Sequence, residues 1–134
     1  MRVLFAFDGS PFAKRALGYG KRFGDDLEAV VITVSPVLIE APHTEQSVDP
    51  QHPTEEALQQ LEEARKLLED DGVQAETVHA FGNPAAEIIH AAERSGADLI
   101  VVGQRGRSAI SRFIEGSVSD RVVRHATCDV LVVR

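Results

Sequence analysis

The residue types and spacing best suited to chemistry lie toward the C-terminal end. Gly103 and Gly106 follow the apolar run Leu99-Ile100-Val101-Val102. Nine residues separate Gly106 from Gly116, which leads into Ser117, Val118 and Ser119. Glycine carries no side chain, so backbone amides at such positions can approach an anion closely. A helix expected to open at Ser117 adds unpaired N–H groups and the positive end of its dipole. Ser117 and Ser119 add hydroxyl donors. Five of the 14 cationic side chains (Arg105, Arg107, Arg112, Arg121 and Arg124) fall between residues 103 and 124, against Glu115 and Asp120 alone. A chain of formal net charge −7 therefore carries a locally basic segment. The chemistry this indicates is phosphate binding by a loop that runs into a helix, although each arginine taken singly also fits a solvated loop charge. The loop is not a Walker A sequence, since no Gly-Lys-Ser/Thr follows it. Nor is it the GxGxxG dinucleotide fingerprint, which belongs after a first strand.

A second candidate is Asp8, which with Gly9 and Ser10 follows the run Val3-Leu4-Phe5-Ala6-Phe7. Open parallel sheets bind ligands at the carboxyl ends of their strands, so the residues after each strand matter. Asp8 also fits a plainer role, ending a strand ahead of a capped helix. His43, His52, His79, His90 and His125 lie in different elements without metal-ligand spacing, and no GxSxG nucleophile elbow occurs. Phosphoryl transfer needs metal ligands and a positioned nucleophile. Ser117 or Ser119 could reach Mg2+ through bound phosphates with Asp8 nearby, but no dedicated base is evident. Slow hydrolysis or autophosphorylation is compatible with these residues; efficient catalysis is not expected.

The elements that must position these groups follow from the patterning. Runs at 3–7, 29–34, 73–80, 99–102 and 130–133 read as strands. Between them lie four helical patterns. In the first, Ser10 caps, Pro11 opens, and Ala13, Ala16, Leu17, Gly20 and Phe23 share a face up to Gly24. The second spans about residues 54–71, with Leu58, Leu61, Ala64 and Leu68 inward and Gly72 as its stop. The third opens at Asn83-Pro84 and buries Ile88, Ile89 and Ala92 before Gly96. The fourth covers residues 117–126, with Val118, Val122 and Ala126 four apart. Strict alternation of this kind predicts one doubly wound α/β domain, a parallel sheet with helices on both faces.

The third run alternates in polarity and is expected at a sheet edge. The fifth (Val130, Leu131, Val132, Val133) is fully apolar yet ends the sequence, so an edge position would call for a cover, most economically a symmetric partner. Residues 35–53 hold four of the six prolines and no helical period. They read as a mobile surface loop or a flap over a ligand. At 134 residues, with 43% hydrophobic and 26% charged residues, the chain fits a single globular domain. Its acidity argues against nucleic acid as a main partner. The lone Cys128 excludes an internal disulfide, and Asp8 comes too early for a signal peptide or membrane span. A cytoplasmic protein is expected.

Gly103-x2-Gly106-x9-Gly116-Ser117, preceded by Asp98-Leu99-Ile100-Val101-Val102 and followed by Cys128-Asp129-Val130-Leu131-Val132-Val133, resembles the nucleotide-binding signature of universal stress proteins. The opening residues 3–10 resemble that family's first strand and its acidic terminus. The likeness covers essentially the whole chain, residues 1–134, and points to the ATP-binding branch. It implies a five-stranded parallel sheet ordered 3-2-1-4-5, of the adenine-nucleotide alpha-hydrolase-like kind. It also implies bound ATP, with Mg2+ as a candidate companion, and a homodimer or higher oligomer joined through the fifth strand, residues 130–133. By position, Asp8 would face the ribose and backbone groups near Phe7 and Val34 would hold the adenine. Gly103, Gln104, Arg105, Gly106 and Arg107 would line the ribose and phosphates, and Gly116, Ser117, Val118 and Ser119 would receive the phosphates. Gln104 stands where the family often has a small hydroxyl residue. The role implied is regulatory, in stress response or on a protein client such as a transporter. An interaction-only protein with an empty site is the other non-catalytic reading.

Overall fold

Strands and helices alternate along the chain in a computed structural model that describes residues 1–35, 54–104 and 117–134. In order they are β1 (Arg2–Ala6), α1 (Pro11–Leu17), β2 (Glu28–Ser35), α2 (Glu55–Asp70), β3 (Ala75–Phe81), α3 (Pro84–Ser95), β4 (Leu99–Gly103), α4 (Ser117–His125) and β5 (Asp129–Val133). All strand pairs are parallel and the order is β3-β2-β1-β4-β5. The polar-alternating β3 occupies one edge, as its patterning predicts, and the fully apolar β5 occupies the other, as the order implied by the family resemblance requires.

Both sheet faces are covered, which is why the inner strands read as unbroken apolar runs. On one face Val3, Phe5, Ala29, Val31 and Val101 pack with Ala13, Ala16 and Leu17 of α1 and Leu61, Ala64 and Leu68 of α2. On the other, Leu4, Val30, Ile32 and Ile100 pack with Ala85, Ile88, Ala91 and Ala92 of α3 and Val122 of α4. Phe5 is wholly buried, its ring centroid 6.5 Å from that of Phe23. Truncating such a side chain to alanine costs about 3–5 kcal/mol.

Three helices begin at side-chain caps, two of them the expected Ser10 and Asn83 and the third Thr54. The side chains of Ser10, Thr54 and Asn83 each accept from a backbone N–H three residues on, at 3.1 Å. Such caps are worth about 1 kcal/mol apiece. Four expectations need correction, the first being Ile89, which is only partly buried because α3 turns Ile88, Ala91 and Ala92 to the sheet. The inward stripe of α2 is Ala57, Leu61, Ala64 and Leu68, and Leu58 is 52% exposed. Leu58 sits about 100° around the helix from Ala57, off the buried stripe. Helix α1 ends at Leu17, followed by a single 3-10 turn at Gly20–Arg22, and does not run on to Gly24. At Gly20 a Cβ would lie 3.1 Å from Leu68 Cδ2, so the chain is drawn tight against the core there. Ser35, read as the start of the long loop, is the last residue of β2. Residues 36–53 lie outside the described residues.

Arg2 ties together the sheet end remote from the site. Its backbone N–H donates to Asp98 Oδ2 at 2.9 Å, its Nε and Nη2 donate to Glu28 Oε2 at 2.9 and 2.7 Å, and its Nη1 donates to the Ser95 carbonyl.

Candidate functional site

The central strand stops short at its carboxyl end. β1 pairs with β2 as far as Ala6↔Ile32 and with β4 as far as Phe5↔Val101. Its neighbours run on, to Ser35↔Phe81 in the β2–β3 ladder and to Gly103↔Val133 in the β4–β5 ladder. After Ala6 one more backbone bond reaches β2, from the Phe7 N–H to the Ile32 carbonyl at 2.9 Å. The Phe7 carbonyl then accepts from the Thr33 hydroxyl at 2.8 Å, a bond buried from solvent. A side-chain bond thus takes over from the ladder, and a notch opens where β1 ends. The sheet also reverses its winding direction here, with β2 on one side of β1 and β4 on the other, the place where open α/β sheets bind ligands.

Asp8 leaves β1 in a tight turn. Its Oδ1 accepts the Ser10 N–H at 2.9 Å, and Gly9 adopts φ +81°, a left-handed conformation that disfavours a side chain. The Asp8 carbonyl accepts from Gln60 Nε2 of α2 at 3.2 Å. Ser10 then caps α1. The turn is fixed from within by the aspartate and from outside by α2.

At the neighbouring strand end Gly103 faces the first turn of α1. A Cβ on Gly103 would lie 2.9 Å from Phe12 C and Cβ and 3.0 Å from Ala13 N. The sequence suggests that this glycine admits an anion. The space its missing side chain leaves is taken by α1, so the glycine also seats that helix at this strand end. The Gln104 N–H donates to the Val133 carbonyl at 2.8 Å, and the Gln104 carbonyl accepts from Ser119 Oγ at 3.3 Å. Gln104 therefore joins the end of β5 to the first turn of α4. Ser119 is buried, Val118 packs into the α3–α4 side of the core, and Ser117 opens the helix. Arg124 pairs with Asp120 at 3.5 Å, so one of the five local cations is already partnered. Arg105, Gly106, Arg107, Arg112 and Gly116 lie outside the described residues.

Val34 pairs with Ala80 at the β2–β3 end of the site. Beside it Ser35 Oγ and His79 Nε2 are 2.8 Å apart, and the His79 ring meets Phe81 edge-on with centroids 4.5 Å apart. Burial holds the His79 imidazole below its ordinary value of 6.5, favouring the neutral ring. Burial pushes the Cys128 thiol up, away from a reactive thiolate. Among the described residues no cluster of three or more His, Cys, Asp or Glu side chains is placed to hold a metal.

Sequence reading missed Thr33 and Gln60. Thr33 had a signal, being the one hydroxyl inside the apolar run Ala29-Val30-Val31-Ile32-Thr33-Val34. Gln60 had none, one polar residue among many on α2. Asp8, Phe7, Gly103, Gln104 and Ser119 are brought to one end of the sheet, around the first turns of α1 and α4.

Doubly wound parallel order with the central strand ending first at the reversal point defines an open α/β class. A family model described as the Universal stress protein family matches residues 1–134. The chain belongs to the universal stress protein family. It is 36% identical over 146 residues to universal stress protein YxiE of Bacillus subtilis, covering 99% of this chain and 98% of that one. A universal stress protein in complex with cAMP superimposes with TM-score 0.77 at 26% identity, over 100% of this chain and 97% of that one. An Arabidopsis thaliana family member with AMP bound shares the fold, with TM-score 0.69 at 22% identity over 99% and 90% of the two chains. No helix among the described residues is long and apolar enough to cross a membrane.

Proposed function

We propose that this chain binds an adenine nucleotide, ATP by the motif, at the carboxyl ends of β1 and β4, and acts as a regulator rather than an efficient enzyme. The observation that carries the reading is the notch beyond Ala6, walled by the Asp8-Gly9-Ser10 turn on one side and the Gln104–Ser119 junction on the other. Asp8 presents a carboxylate toward the ribose hydroxyls, and backbone groups near Phe7 and Val34 take the adenine edge. The 103–107 loop and residues 116–119 receive the phosphates, with Mg2+ neutralising them. The relative in complex with cAMP, similar over its whole length, supports adenine nucleotides as the ligand class.

In the same reading the protein is a single cytoplasmic domain over residues 1–134. It dimerises through residues 130–133 of β5, whose apolar strand has β4 as its neighbour on one side. Bound nucleotide alters the surface offered to a protein client. Mass spectrometry of the purified protein under native conditions tests the ligand class directly. An adenine nucleotide retained in stoichiometric amount is expected; a chain that neither retains nor takes up added ATP or AMP overturns the proposal.

A further inference from the structure

The Asp8–Gly9 peptide sits in a glycine turn that a distant helix also contacts. Gly9 lacks a Cβ and sits at φ +81°, and a peptide preceding such a glycine can flip by opposed rotations of two soft torsions. A flip would turn the Asp8 carbonyl away from Gln60 and release the whole turn to shift against α2, carrying Asp8 with it. One contact that opposes the flip comes from outside the turn. Gln60, one helical turn and a half into α2, donates Nε2 to that carbonyl at 3.2 Å. An added Cβ on Gly9 would lie only 3.7 Å from the same nitrogen, so the side-chain amide lies against the turn itself. The Asp8 Oδ1 bond to the Ser10 N–H fixes the carboxylate relative to the turn, and the Gln60 bond fixes the turn relative to the sheet.

From this geometry we infer that Gln60 is a positioning residue of the nucleotide site, holding the Asp8–Gly9 peptide in the orientation that aims Asp8 at the ribose. The inference rests on the nucleotide reading above. Gln60 touches no ligand in this account; it acts through Asp8. Its effect therefore depends on the ribose hydroxyls and is absent for a ligand that lacks them.

The test compares AMP with 2′,3′-dideoxy-AMP by calorimetry on the full chain. Gln60→Met keeps the length of the side chain and removes the donor, while Gln60→Lys restores a donor. Gln60→Met is expected to weaken AMP about tenfold, the weight of the misaligned bond between the Asp8 carboxylate and a ribose hydroxyl, and to leave the dideoxy nucleotide unchanged. Gln60→Lys is expected to restore the ratio of the two affinities, a ratio in which its added charge cancels. Equal losses for both nucleotides, or no loss for either, would overturn the role of Gln60 while leaving nucleotide binding intact. A wild-type chain that binds neither nucleotide would overturn the underlying reading and this inference together.

Discussion

Gly103 approaches the backbone of Phe12 so closely that a methyl group on it would stand 2.9 Å from Phe12 C and Cβ. The end of β4 and the first turn of α1 thus meet without room for a side chain, on the wall of the notch where β1 stops. Atoms of the helix backbone cannot yield as a flexible side chain does. Gly103→Ala is therefore expected to destabilise the fold by about 1–3 kcal/mol, the usual range for overpacking a close contact. Denaturant titration reads this directly. A variant as stable as the wild type would show that α1 shifts freely and that the glycine is there for another reason.

His79 couples stability to pH. Burial lowers its pKa from 6.5, and Ser35 Oγ lies 2.8 Å from its Nε2. Where pH lies between the lowered native value and 6.5, the unfolded chain binds more protons than the folded one, so stability rises with pH in that window. The contribution is fully present above 6.5 and is lost as pH falls through the native value. His79→Gln, which keeps a hydrogen-bonding group but does not titrate, should lose less stability than the wild type between about pH 7 and pH 5. Parallel stability curves for the two proteins over that range would contradict this.

How much of this was legible in the sequence follows from what each feature depends on. The order of elements, the edge strand β3 and the caps at Ser10 and Asn83 depend on local pattern and residue type, and they were readable. The burial of Leu58 was misread because α2 offers leucines at two adjacent angles, and which of them faces the sheet is set by Ala57 and Ala64. Beyond the end of α1 at Leu17, Gly20 lies close against Leu68, a contact between distant parts of the chain that local pattern does not encode. At the site, the glycines and serines announced themselves by spacing. Thr33 and Gln60 act through single tertiary hydrogen bonds, to Phe7 and Asp8, that no spacing encodes.

The outer edge of β5 carries the proposed dimer. Val130, Leu131 and Val132 are each half-buried in the single chain, and a lysine on an edge strand opposes pairing with a second copy. The wild-type protein is expected to run as a dimer by light scattering and Leu131→Lys as a monomer with an unchanged circular dichroism spectrum. A wild-type monomer, or a variant that stays dimeric, would refute pairing through this edge.

The central claim is that the crevice bounded by the Asp8 turn and the start of α4 holds an adenine nucleotide through the glycine motif that ends at Gly116. Calorimetric titration with Mg-ATP, comparing the wild type with Gly116→Val, tests it most directly. Binding by the wild type at one site per chain, weakened about tenfold or more in the variant, a difference of about 1.4 kcal/mol, is the predicted result. Equal affinity in both proteins, or no binding by either, would contradict it.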